Sequence, residues 1–291
     1  TTGDITIGAV TGGSNSLTLS TGDNVANTDI TASGAISGVT TLTLADVGGT
    51  ATLSADVDVT TLTVGSTVAN VAFTGNGSSV TNAVSFANDG TLTIGPINGT
   101  VTFNGGLTTT SVGGTVTLGG GAVSLGGTSL VIATSNDAVV LGAVTLGANT
   151  TINTNASDTT GDITIGAVTG GSNSLTLSMG NNVANTDITA SGAISGVTTL
   201  TLSNVGGTAT LSADVDVTTL SVDNTVANVA FTGNGSSVTN AVSFANDGTL
   251  TLGQDGGTQT YNAGLTTTSV GSTVTLNGTI ATSNDAVVLG A

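Results

Sequence analysis

Two pairs of carboxylates are the nearest approach to chemistry in this 291-residue chain: Asp56-Val57-Asp58 and its copy Asp214-Val215-Asp216. Residues i and i+2 of an extended strand share a face, so each pair presents two carboxylates side by side. Such pairs serve two kinds of site: an acid and base flanking a glycosidic bond, or oxygen ligands for a hard cation such as calcium. Calcium takes about six to eight oxygens, so carbonyls or neighbouring strands would have to complete the shell. The glycine-rich nonapeptide of calcium-binding β-rolls does not occur. Asp56, Asp58, Asp214 and Asp216 are therefore candidate calcium ligands, and a solvated strand face accounts for the same residues without a metal.

The rest of the catalytic repertoire is missing. The chain has no Lys, Arg, His or Cys, and its 17 acidic residues are all Asp, for a formal charge of −17. With Tyr261 the lone tyrosine, general acid–base catalysis near neutral pH has no group poised for it, and no enzyme activity is expected. Zinc, iron and copper sites of the common kinds lack their ligands, so no cofactor is required and calcium alone stays open. Nucleic acid is excluded as a partner: no cation meets a phosphate, and five Phe and one Tyr are the only aromatics. Disulfides and internal salt bridges cannot form. The Asn-x-Ser/Thr sequences at Asn76, Asn98, Asn149, Asn155, Asn234 and Asn277 are at the density that an Asn-, Ser- and Thr-rich chain supplies by chance.

The elements that hold these residues repeat. Thr1–Leu118 recurs as Thr159–Leu276 at an offset of 158 with 15 differences, so 103 of 118 positions match. Phe103 becomes Tyr261, Gly105 becomes Ala263, Asp46 becomes Asn204, and Pro96-Ile97-Asn98 becomes Gln254-Asp255-Gly256. After Leu276 the second copy skips ten residues and rejoins, Ile132–Ala143 recurring as Ile280–Ala291. Residues 1–158 thus form repeat unit 1 and 159–291 a shortened repeat unit 2, expected to be continuous. The skipped segment reads as one strand and a turn, or a bulged loop. Both ends fall mid-pattern without the polar caps of a free-standing solenoid, so end-to-end stacking or strand donation between copies is expected.

Within each unit an apolar-Thr/Ser-apolar triplet is followed by a Gly, Asn or Asp turn, as in Ile5-Thr6-Ile7, Leu17-Thr18-Leu19, Leu42-Thr43-Leu44, Leu62-Thr63-Val64, Val84-Ser85-Phe86, Leu92-Thr93-Ile94, Val116-Thr117-Leu118 and Val123-Ser124-Leu125. Period-two alternation predicts strands with one buried face, and no helical period is present. A β-sandwich, in tandem domains along a filament, is the alternative architecture, but it needs large core residues to fill the gap between sheets. Gly is 45 of 291 residues and aromatics are 2%. That composition fits the narrow core of an all-β, right-handed parallel β-solenoid, whose coils stack at about 4.8 Å with Gly and Asn at the corners. Coils of roughly 20 to 30 residues give on the order of 10 to 15 coils. Phe73, Phe86, Phe103, Phe231, Phe244 and Tyr261 are expected as core fillers. The TGGSN and Gly119-Gly120-Gly121 stretches are expected as turns, since no Lys follows to make a phosphate loop.

The run from Thr41 to Gly95 (TLTLADVGGTATLSADVDVTTLTV…TLTIG) resembles the Gly/Thr/Asn-rich β-strand repeats of very large bacterial surface proteins, and is similar to the β-solenoids of filamentous haemagglutinins and autotransporter adhesins. The resemblance implies extracellular display and a role in adhesion, biofilm or sheath formation. It fits a structural component of an extracellular filament, fibre or surface layer, or alternatively an adhesin stalk that binds glycans or neighbouring cells. No apolar run reaches the length of a membrane span in this segment, and a targeting signal would lie outside it. The absence of Lys and Arg removes every trypsin-type cleavage site, which suits a secreted protein. Uncompensated negative charge favours counter-ions, and divalent cations bridging neighbouring molecules are an expected partner.

Overall fold

Apolar-Thr-apolar triplets become strands because each one buries two side chains and leaves one hydroxyl outside, and the computed structural model of the protein describes residues 3–95, 99–118, 129–134 and 137–290. Among the described residues every regular element is a β-strand. The expected triplets lie in strands Ile5–Ile7, Val10–Ser20, Ile36–Ala45, Val57–Val64, Val84–Ser85, Leu92–Ile94 and Val116–Leu118. Val123-Ser124-Leu125, Gly119-Gly120-Gly121 and Pro96-Ile97-Asn98 lie outside the described residues. The chain forms two compact units, Thr1–Ser135 with Val140–Thr150, and Asn136–Val139 with Thr151–Ala291. The first extends to about residue 150 because Val144–Leu146 stacks on Val116–Leu118.

Each unit is a parallel β-solenoid, which rules out the sandwich. In the first, Ile5, Ile30, Ala51, Val71, Leu92, Val116 and Val144 are successive parallel partners on one face, and each step from one to the next is one coil. A second ladder starts Val10, Ile36, Val57 and continues through Asp58, Ser79 and Thr102. A third starts Leu17, Leu42, Leu62 and runs on through Val84 and Leu107. Three faces per coil follow. The second unit repeats the series, with Ile163, Ile188, Ala209, Val229, Leu250 and Val274 spaced just as the first six of those partners are.

The deletion in the second copy now has a place. In the first unit Val101 pairs with Ile132, and in the second Gln259 pairs with Ile280, a coil shorter by the skipped segment. The pairings before it, Leu92 with Val116 and Leu250 with Val274, keep the same interval in both units. The deletion therefore shortens this coil while Ile132 and Ile280 keep equivalent partners, Val101 and Gln259.

The core is the ladder of Leu, Ile, Val and Ala side chains inside each coil, with Ile30, Ile36, Leu42, Leu44 and Leu53 at 0% exposure. Burial at about 25 cal/mol per Å² of apolar surface is the main stabilising term for such ladders. Phe73, Phe86 and Phe103, one from each face, meet with ring centroids 6.5, 6.0 and 6.3 Å apart, within the range of favourable aromatic pairs. All five Phe and Tyr261 are fully buried, as expected of core fillers. Left-handed turns at Asp46 (φ 53°) and Asn204 (φ 55°) explain why that pair of positions exchanges Asp for Asn, two residues that tolerate this conformation. The exchange also reverses a bond between coils: the Ser20 hydroxyl donates to Asp46 at 3.1 Å, whereas Asn204 Nδ2 donates to Ser178 at 3.3 Å.

Candidate functional site

Most of the carboxylates that have partners use them to tie coils together. Asp4 accepts the Asp29 amide (3.1 Å), Asp29 accepts the Thr50 amide (2.7 Å), and one rung later Asn70 accepts the Thr91 amide (2.9 Å). The second unit repeats this column, with Asp162 accepting Asp187 N–H at 2.9 Å, Asp187 accepting Thr208 N–H at 2.6 Å and Asn228 accepting Thr249 N–H at 2.9 Å. A side-chain oxygen at a corner thus satisfies a backbone donor of the next coil, a strong arrangement when the acceptor is ionised.

The predicted calcium ligands are arranged differently. Asp56 and Asp214 are half-buried just before strands Val57–Val64 and Val215–Val222, and Asp58 and Asp216 are exposed within them. Asp214 accepts the Gly235 amide at 2.7 Å, while the equivalent Gly77 amide bonds to the Thr100 carbonyl at 3.0 Å. Asp58 has Ser37 below it and Ser79 above it on its ladder, so hydroxyls flank it where further carboxylates would be needed to thicken a metal shell. Among the described residues no group of three potential metal-ligating side chains comes together. Asp58 and Asp216 share with Asp56, Asp89 and Asp247 a carboxylate without an intramolecular partner, and what sets the two apart is their place.

They stand on the wall of a groove. Strand Ile36–Ala45 carries Gly38 at φ 64°, and its register against Val57–Val64 slips between Ser37 and Val39. This bulge bends the sheet between the second and third faces. Val39 and Val59 still point into the core at 3% and 4% exposure, and Asp58, Ser79, Thr40, Thr60 and Thr81 line the groove outside them. Ser14 lines the groove as well. The groove measures about 400 Å³. Its counterpart in the second unit, about 410 Å³, is lined by Asp216, Ser237, Thr198, Thr218 and Thr239, with Gly196 at φ 65°. Thr40 and Thr198 hydroxyls are held by the Ser14 and Ser172 carbonyls at 2.8 and 2.6 Å, but Thr60, Thr81, Thr218 and Thr239 keep theirs free.

Sequence reasoning singled out the aspartates and missed these threonines. The available signal was the isolated glycine in the otherwise alternating run Ile36-Ser37-Gly38-Val39-Thr40, a mark of a bulge.

The lone phenol is not part of any surface site. Tyr261 is fully buried and donates to Gln259 Oε1 at 3.0 Å, and Gln259 Nε2 donates to the carbonyls of Phe231 (2.8 Å) and Gly233 (3.2 Å). Burial pushes the phenol far above its ordinary range, so it stays protonated. The chain matches no protein-family profile, no curated protein and no solved structure.

Proposed function

We propose that the chain is a structural segment of an extracellular filament, fibre or surface layer, in which coils of one molecule or of successive molecules stack on one another. The observation that carries this reading is the unbroken in-register stacking within each unit: Ile5, Ile30, Ala51, Val71, Leu92, Val116 and Val144 in the first and Ile163, Ile188, Ala209, Val229, Leu250 and Val274 in the second pair each with the next. Apolar residues covered in this way are dry, with Leu42, Leu118 and Leu202 at 0% exposure, so a coil of this sequence is built to be covered by another through its backbone edge and its apolar ladder. The threonine exterior keeps the sides hydrated, and its uncompensated charge opposes sideways aggregation except where divalent cations bridge it.

Electron microscopy and sedimentation of the purified chain test this. Expected are end-to-end oligomers that lengthen with concentration and are abolished by Val287→Asp with Leu289→Asp, two positions already exposed. A chain that stays monomeric at high concentration refutes the reading. A second reading, an adhesin stalk, is favoured by the recurrence of the hydroxyl-lined groove in both units.

A further inference from the structure

We infer that the Asp58 groove, and its twin at Asp216, bind a linear amino-sugar polymer bearing free primary ammonium groups. The inference concerns the groove alone and stands whether or not the chain assembles. Its first support is the state of the carboxylate. Asp4, Asp29, Asp46, Asp162, Asp187 and Asp214 each accept a hydrogen bond from the protein; Asp58 and Asp216, like Asp56, Asp89 and Asp247, accept none, but they do so while lining a concavity. The chain has no Lys, Arg or His, so a cation for them must come from outside. An ammonium supplies a charge-assisted hydrogen bond to such a carboxylate.

The threonines that line the groove beside Asp58 specify the rest of the ligand. Val39, Val59 and Val80 are successive ladder partners, so Thr40, Thr60 and Thr81, each one residue on, form a column rising by about 4.8 Å per coil. The free hydroxyls of Thr60 and Thr81 both donate and accept, and they are held in place by β-branched side chains of restricted rotamer. A chain of hydroxyl-bearing rings laid along the axis can bond to successive rungs while its amine meets Asp58. The groove contains no aromatic ring on which a neutral sugar would stack. A basic peptide is the less suited occupant: the backbone groups of the strands beneath are already committed to inter-coil pairing, so a peptide would find no sheet edge to extend.

Titration calorimetry with fully deacetylated glucosamine hexamer tests the site. Expected is binding at two sites per chain, weakened at least fivefold by Asp58→Asn with Asp216→Asn and by Thr60→Val with Thr218→Val, with no affinity for the N-acetylated hexamer. Asp58 and Asp216 make no internal bond, so the melting temperature should not change. Asp89→Asn with Asp247→Asn removes the same charge from exposed positions outside the groove and should leave binding intact. Equal weakening by both Asp pairs would reduce the interaction to general attraction by a polyanion and overturn the inference. So would failure of the hexamer to bind, or tighter binding of a lysine hexamer with the same dependence on Asp58, which would make the groove a basic-peptide site.

Discussion

The exchange of Val101 and Phe103 for Gln259 and Tyr261 is best explained as one event, and a double-mutant cycle decides it. In the second unit the phenol and the carboxamide satisfy each other within the core, at 0% and 1% exposure. Tyr261→Phe alone leaves Gln259 Oε1 buried without a donor. Gln259→Val alone leaves the phenol buried without an acceptor and strips a donor from the Gly233 carbonyl. Each single change is expected to cost about 1–3 kcal/mol, the penalty of an unpaired buried polar group. The double change restores the pair found in the first unit, where Val101 and Phe103 are both fully buried and the Gly75 carbonyl accepts from Ser78 Oγ at 3.2 Å. Ser236 is placed to do the same for Gly233, and the Phe231 carbonyl keeps the Gly253 amide at 2.9 Å. The double variant should therefore lie within about 1 kcal/mol of the parent, giving a coupling energy of roughly 1–3 kcal/mol. Amide hydrogen exchange over residues 229–265 is the assay, because solenoids unfold as nearest-neighbour units and a whole-chain melt averages over them. Additive costs, with the double variant the least stable of the three, would refute the coupled explanation.

Tyr261 also sets the alkaline limit of the second unit. Below about pH 10 the folded and unfolded chains both keep the phenolic proton; above it the unfolded chain releases the proton and the buried group does not, so stability falls by up to about 1.4 kcal/mol per pH unit. No other side chain titrates there, so Tyr261→Phe should abolish the slope, as read from urea unfolding at pH 9 to 11. Asp187→Ala removes the acceptor of the Thr208 amide and should cost about 1–2 kcal/mol, while Asp187→Asn keeps an acceptor and costs less, measured by exchange at Thr208. Gly75 packs so that a Cβ would fall on the Ala55 carbonyl oxygen and crowd Ser78 Oγ, which holds the Val57 amide at 3.1 Å. Gly75→Ala should therefore destabilise by about 1–3 kcal/mol in thermal unfolding. Gly105→Ala, although equally close to the Ala83 amide, should cost less, because the second unit already accommodates Ala263 there.

Much of the fold was legible because its signals are local. A triplet such as Leu42-Thr43-Leu44 alternates with period two, and the shortage of large side chains excludes a wide core, so parallel coils and fully buried phenylalanines could be read directly. Coil lengths could not: they vary from the short step between Ala51 and Val71 to the long one between Val116 and Val144, and depend on which strand each strand stacks against.

For the candidate site the balance is reversed. Composition alone established that any cation must come from outside, since no Lys, Arg or His exists to meet 17 carboxylates. Alternation predicts Asp56 and Asp58 on one side of a strand, whereas in the structure Asp56 lies just before strand Val57–Val64 and Asp58 within it. Which carboxylates are free was decided by tertiary structure. Asp29 and Asp58 are the same residue type in similar Thr- and Ala-rich surroundings, yet one is bonded to the next coil's amide and the other faces a groove. The physical reason is that their neighbours in space lie a full coil away along the chain, and only the stacking of coils brings a backbone donor to the first and a bulge at Gly38 beside the second.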